Sequence, residues 1–168
     1  MPQPTQPDFR PDFRPAILPA EPADASEILA LQRLAYRSEA RLYGDWSLPP
    51  LTQSLEEMAR EFATLRLLKA VEQDRIVGSV RAGLEGNICR VGRLIVHPER
   101  QRRGLGTALL LAVEALFPEA ERLALFTGSL SEGNLRLYGR LGYREVARRE
   151  AKPGLTLVFL EKPAPARG

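Results

Sequence analysis

Hydrophobic and polar positions switch between strand and helix periods along this chain. Residues 16–18 read as a short first strand. Asp24 stands in an N-cap position with Glu27 three residues on, and Ile28, Leu31 and Ala35 supply an apolar stripe. That pattern predicts a helix over about residues 25–40. Ser54 and Glu57 form a second capping box, followed by Met58 and Phe62, which share a face with Leu55. The segment between the two helices, residues 42–52, holds Trp46, Pro49 and Pro50 and reads as a loop or a broken helical turn. Strand patterns at 65–72, 76–84 and 88–96, separated by the turns Gln73-Asp74-Arg75 and Gly86-Asn87, predict an antiparallel meander. Residues 104–117 are apolar on most faces, which predicts a buried helix. A further strand at 122–127, a helix at 131–141 closed by Gly142, and a hairpin of 143–149 with 155–161 complete the pattern. The sum is a mixed sheet with helices on both faces.

Composition narrows the function classes. The 168 residues are 44% hydrophobic and 27% charged, as in a globular domain. The longest apolar run, 108–113, is far short of the roughly 18 residues a membrane span needs, and no secretory leader pattern opens the chain. Residues 1–15 are proline-rich, carry the near-repeat Pro-Asp-Phe-Arg, and read as a flexible tail; residues 163–168 read as a shorter one. The body is residues 16–162. One cysteine, Cys89, and one histidine, His97, leave no metal-ligand cluster and no intrachain disulfide framework. A cytoplasmic setting is the default. The net charge of +3 is not that of a dedicated nucleic-acid binder. The short clusters Arg100–Arg103 and Arg148-Arg149 lack the interleaved aromatics that stack on bases.

The sharpest feature is the junction Val96-His97-Pro98-Glu99-Arg100-Gln101-Arg102-Arg103-Gly104-Leu105-Gly106-Thr107. A strand ends, a short basic loop follows, and a helix opens with two glycines. The first N–H groups of a helix lack internal partners and carry the positive end of its dipole, so phosphate suits them. A P-loop would need a lysine before Ser or Thr, and a Rossmann turn would need three glycines after a first strand. Neither pattern fits.

Residues 101–106 match the Gln/Arg-x-x-Gly-x-Gly/Ala pattern of the GNAT (GCN5-related) N-acetyltransferases at every fixed place. Residues 92–98 resemble that family's fourth strand, and residues 134–143 its second signature. The resemblance spans about residues 16–162. It implies an α/β (α+β mixed) fold: a central mixed sheet of six to seven strands flanked by about four helices, with strands four and five splayed. It also implies acetyl-CoA, or coenzyme A, as cofactor. The N–H groups of Gln101, Arg102, Arg103, Gly104, Leu105, Gly106 and Thr107 would hold its pyrophosphate. A bulged fourth strand would offer main-chain groups of Leu94, Ile95 and Val96 to the pantetheine arm, with Ile95 polarising the thioester carbonyl.

Asn134 and Tyr138 lie four apart on one helix. In this reading Asn134 bonds the cofactor, and Tyr138 contacts it and protonates the departing thiolate. The acceptor would be a primary amine of a small molecule or peptide, attacking directly in a ternary complex. The fourth strand holds no carboxylate, so the family's usual base is missing, and Glu72 and Glu85 are the substitutes on neighbouring strands. Tyr36, Tyr43, Trp46 and Leu48 could either wall an acceptor pocket or cap the core. The alternatives are an acyl-CoA sensor domain without turnover and a basic nucleic-acid module. No nucleic acid or membrane partner is expected. Homodimers are common in such folds.

Overall fold

The computed structural model describes residues 15–165, so the proline-rich segment before Pro15 and residues 166–168 lie outside the described residues. Seven strands form one sheet in the order β1-β2-β3-β4-β5-β7-β6. They are β1 (Ala16–Pro19), β2 (Arg66–Glu72), β3 (Arg75–Glu85), β4 (Ile88–Val96), β5 (Arg122–Gly128), β6 (Arg144–Lys152) and β7 (Leu155–Pro163). All neighbours pair antiparallel except β4 with β5. The β2–β3 turn places Gln73 at φ 49 and Asp74 at φ 62, the left-handed pair that a two-residue hairpin loop requires.

Six α-helices are described, more than the four expected, because the first predicted helix divides and a proline-led turn forms a short one. They are α1 (Ala25–Ala35), α2 (Arg37–Tyr43), α3 (Pro49–Thr52), α4 (Leu55–Glu61), α5 (Leu105–Glu114) and α6 (Glu132–Arg140). Ile76 joins the core that α1 and Met58 of α4 build, while its neighbour Val77 joins the core that α5 builds. Adjacent strand residues point to opposite faces, so these helices flank the sheet on two sides. Leu105, Leu109, Leu110 and Val113 of α5 are buried. At about 1.5–3 kcal/mol for each fully buried aliphatic side chain, this helix dominates its face. Leu111, however, is 48% exposed, so α5 is not covered all round.

Three local expectations change. Asp24 does not cap α1: its Oδ2 accepts from the Glu21 N–H (2.8 Å) and from Lys69 Nζ (2.8 Å). Glu27, expected to complete that box, accepts from the Ile76 N–H (3.0 Å) and ties α1 to β3. The single helix over 25–40 breaks at Tyr36 with neither proline nor glycine present, and α2 continues to Tyr43. At the other end Pro163 still belongs to β7 and the Ala164 N–H bonds Glu121 O (2.9 Å), so the ordered body runs past residue 162. The Ser54–Glu57 box forms as expected, the Glu57 N–H donating to Ser54 Oγ at 3.1 Å.

Candidate active site

A bulge and a divergence open the sheet at its centre. On β4, Ile95 pairs with Ser79 and Gly92 with Arg81, so three steps on β4 match two on β3. The extra residue lies beside Arg93, whose φ is +50. A bulge reverses side-chain parity. Cys89 and Val91 accordingly face α5, whereas Ile95 faces α1. β4 pairs with β5 only at Ile88, Cys89 and Arg90, while β5 stays paired to β7 as far as Gly128. The edge of β4 from Val91 to Val96 is therefore unpaired on its β5 side, and a slot separates the two strands.

The slot continues into the start of α5 as one groove of about 810 Å³. Leu94, Ile95 and Val96 form its β4 wall. Gln101, Arg102, Gly104, Leu105, Gly106 and Thr107 form the end beneath α5, joined by Arg100. Gly104 precedes the helix at φ +81, a left-handed conformation that side chains resist. A Cβ on Gly106 would stand in the groove, 3.5 Å from Leu137 Cδ2 and 3.9 Å from Val96 Cγ2, both lining atoms. Two glycines at the helix start leave room beside its N–H groups, and Arg100 and Arg102 stand at the same end, which fits the pyrophosphate of coenzyme A. Arg100 is steadied by Glu72, Nε to Oε2 at 2.7 Å. Arg103 is exposed and not among the lining residues.

The α6 side differs from expectation in detail. Asn134 lines the groove, but its Nδ2 donates to Thr127 Oγ1 (3.2 Å), bracing α6 against β5. Tyr138 does not line the groove: it is 6% exposed, with its ring edge against Tyr143 at 6.0 Å between centroids. Its hydroxyl has no hydrogen-bond partner among the described residues, yet it is not among the sealed, unpartnered polar atoms. It thus keeps an opening. Burial, with Tyr36 and Glu39 adding to it, pushes the Tyr138 phenol above its ordinary 10, so it stays protonated at neutral pH.

The carboxylates named from sequence stand elsewhere. Glu72 is engaged by Arg100, and Glu85 pairs with Arg90 (2.5 Å) at the end of β3 remote from the slot. Cys89 is fully buried and its thiol is pushed up to about 12 by burial, with Glu114 and Glu119 adding to it, so it is no nucleophile. His97 Nδ1 accepts from the Glu99 N–H (3.1 Å), a capping role.

Of the four aromatic and apolar residues weighed for an acceptor wall, only Tyr36 lines the groove. Trp46 is 57% exposed and Leu48 is buried. Tyr43 packs against Gly128, where an added Cβ would overlap its hydroxyl. That hydroxyl accepts from the Leu130 N–H (3.1 Å) and shares a hydrogen bond with Ser131 Oγ (2.8 Å). Ser131 Oγ in turn donates to Glu39 Oε2 (2.6 Å). Sequence reasoning missed Glu39, Ser131, Arg136 and Arg140, all of which line the groove. The spacing of Tyr36 and Glu39, three apart, was the available signal. Asp45 of the α2–α3 loop pairs with Lys152 of β6, joining that loop to the last hairpin.

A mixed sheet parted at its centre, running into a glycine-opened helix start, defines a class of protein built to lay a phosphate-bearing arm between two strands. The model of the acetyltransferase (GNAT) domain matches residues 47–163, and the chain belongs to this family. Among solved structures, the PaiA N-acetyltransferase of Thermoplasma acidophilum in complex with coenzyme A superposes with a TM-score of 0.75 at 16% identity, over 90% of this chain and 99% of that one. An aminoglycoside 6'-N-acetyltransferase complexed with coenzyme A gives 0.73 at 18%, over 91% and 99%. The ribosomal-protein-S18-alanine N-acetyltransferase of Escherichia coli gives 0.71 at 18%, over 91% and 96%. At such identities the likeness is one of fold. A curated relative, the UPF0157 protein YqkA of Bacillus subtilis (strain 168), is 28% identical over 136 residues, 79% of this chain; the chain spans only 38% of that protein's length. No helix among the described residues is long and apolar enough to cross a membrane.

Proposed function

We propose that the protein moves an acetyl group from acetyl-CoA directly to a primary amine of a small molecule or peptide, within a ternary complex in the cytoplasm. The observation that carries this reading is the continuity of the β4–β5 slot with the α5 cradle in one groove. The N–H groups of residues 101–107 hold the pyrophosphate, with Arg100 and Arg102 adding positive charge. Main-chain groups of Leu94, Ile95 and Val96, on the edge left free where β4 parts from β5, pair with the pantetheine arm as a strand would. The cofactor, when bound, supplies an acetyl thioester whose carbon accepts the amine lone pair as the C–S bond breaks onto sulfur.

The remaining work falls to the chain. The Ile95 main chain polarises the carbonyl oxygen, Asn134 holds the arm, and Tyr138 delivers its phenolic proton to the sulfur. No covalent enzyme intermediate is needed, so holding the two substrates together supplies most of the rate. A thiol-release assay over amino acids, polyamines, aminoglycosides and peptide N-termini, paired with coenzyme A calorimetry, tests this. Coenzyme A binding with amine-dependent thiol release is the expected result. Binding without release from any amine would favour the sensor reading, and no binding would overturn both.

A further inference from the structure

The groove holds a carboxylate that the fourth strand lacks. Glu39 of α2 lines it beside Tyr36, Ile95 and Ser131. One carboxylate oxygen, Oε2, is fixed by the Ser131 hydroxyl at 2.6 Å, and Ser131 is itself tied to Tyr43, which is seated on Gly128. The carboxylate is therefore held from the opposite wall, with Oε1 engaged by no described residue. Burial raises the Tyr36 and Tyr138 phenols, and the charge of Glu39 adds to both. Arg93 and Arg81 also act on Tyr36, where their charges oppose that rise. Glu39 thus stands in the groove, whose other charged lining residues are Glu132, Arg136 and Arg140 of α6 and Arg100 and Arg102 at the α5 end.

We propose that Glu39 is the acceptor-site carboxylate: it binds the incoming amine through an N–H···Oε1 hydrogen bond and takes its proton. This rests on the acetyltransferase reading above. As the nitrogen lone pair is committed to the new N–C bond, the remaining N–H becomes far more acidic. That N–H bond then breaks, its electron pair stays on nitrogen, and the proton forms an O–H bond on Glu39. It leaves to solvent as product departs, or returns through water to the Tyr138 phenolate. The same carboxylate favours acceptors that arrive as ammonium ions: such an acceptor first passes one N–H proton through Glu39 to solvent, which frees the nitrogen lone pair for attack, and its second proton then leaves by the route above.

Glu39→Gln separates this role from that of a tether between α2 and the β5–α6 turn, because a glutamine Oε1 still accepts from Ser131. The expected result is a roughly 10²–10³-fold loss in kcat/KM for the best amine of the panel, with unchanged Tm and coenzyme A affinity. The acid limb of the wild-type pH profile should give way to a rise that follows the free-amine fraction in solution. In the dead-end complex with coenzyme A, calorimetric affinity for that amine should fall about tenfold. Glu39→Asp, which keeps the charge one methylene short, should recover part of the rate. Wild-type kcat/KM and pH profile in Glu39→Gln would overturn the proposal, as would a fall in Tm that tracks the loss of activity in both variants. If wild-type protein binds coenzyme A yet acetylates no amine, the acetyltransferase reading itself fails, and this inference with it.

Discussion

The two halves of the groove are built from different materials. The donor half, from the β4 bulge to the start of α5, is backbone: an unpaired strand edge, a glycine at φ +81, and helix N–H groups without internal partners. The half we assign to the acceptor, from Tyr36 through Tyr43 to Ser131, is made of side chains: Glu39 on Ser131 and Ser131 on Tyr43, with Tyr43 seated on Gly128. A backbone site needs only the right conformation, so it tolerates changes in the side chains around it. A side-chain site needs particular atoms at particular places, so one truncation disconnects it. The donor half is therefore suited to one ligand common to many proteins, and the acceptor half to a ligand that varies.

The largest expected effect is at Tyr138, a side chain of α6 rather than part of the backbone cradle. Tyr138→Phe should lower turnover by roughly 10²–10⁴ while coenzyme A affinity stays near wild type. Because burial holds this phenol above 10, any alkaline loss of activity it causes should appear only above that pH. Unchanged turnover would remove Tyr138 from the acid role. Next, Gly104→Val forces a β-branched residue into a left-handed conformation at about 1–3 kcal/mol. Coenzyme A affinity should drop roughly 10–100-fold by calorimetry, and normal affinity would contradict the cradle.

Gly128→Ala attacks the acceptor half instead. Its methyl would displace the Tyr43 hydroxyl and cost about 1–3 kcal/mol of stability in thermal unfolding. KM for the amine should rise while coenzyme A binding holds; equal damage to both would erase the distinction between the halves. Ile95→Val, by contrast, alters a side chain where the main chain does the work, so coenzyme A affinity should stay within about twofold. Its cost is the ~0.5–1.5 kcal/mol of stability typical for that truncation.

The smallest effect concerns pH. Hydrogen bonds from Lys152 and Ser47 hold the Asp45 carboxyl down from 3.8 to about 2. A carboxyl lowered on folding adds stability that is complete above its ordinary value and disappears as pH falls through its folded one. The tie between the α2–α3 loop and β6 should therefore persist above pH 3.8 and be lost toward about 2. Lys152→Ala should flatten that part of the acid-unfolding curve, and an unaltered curve would discount the tie.

Much of the donor half was legible because its causes are local. Gly104 and Gly106 signal the loop, and the apolar run after them signals the buried helix it opens. The β2–β3–β4 meander follows from short turns such as Gly86-Asn87, whose geometry the neighbouring residues dictate. The acceptor half was not legible. Nothing in residues 25–40 announces a break at Tyr36, and Asp24 and Glu27 read as a cap although they bond to Lys69 and Ile76. Glu39 read as one more position on a helix. The chain by itself determined most of the elements, the antiparallel meander and the glycine-opened start of α5, since neighbouring residues set periodicity and turn geometry. Only the tertiary structure decided which carboxylate meets the slot, because that depends on Ser131 and Gly128, roughly ninety residues away along the chain, arriving beside α2.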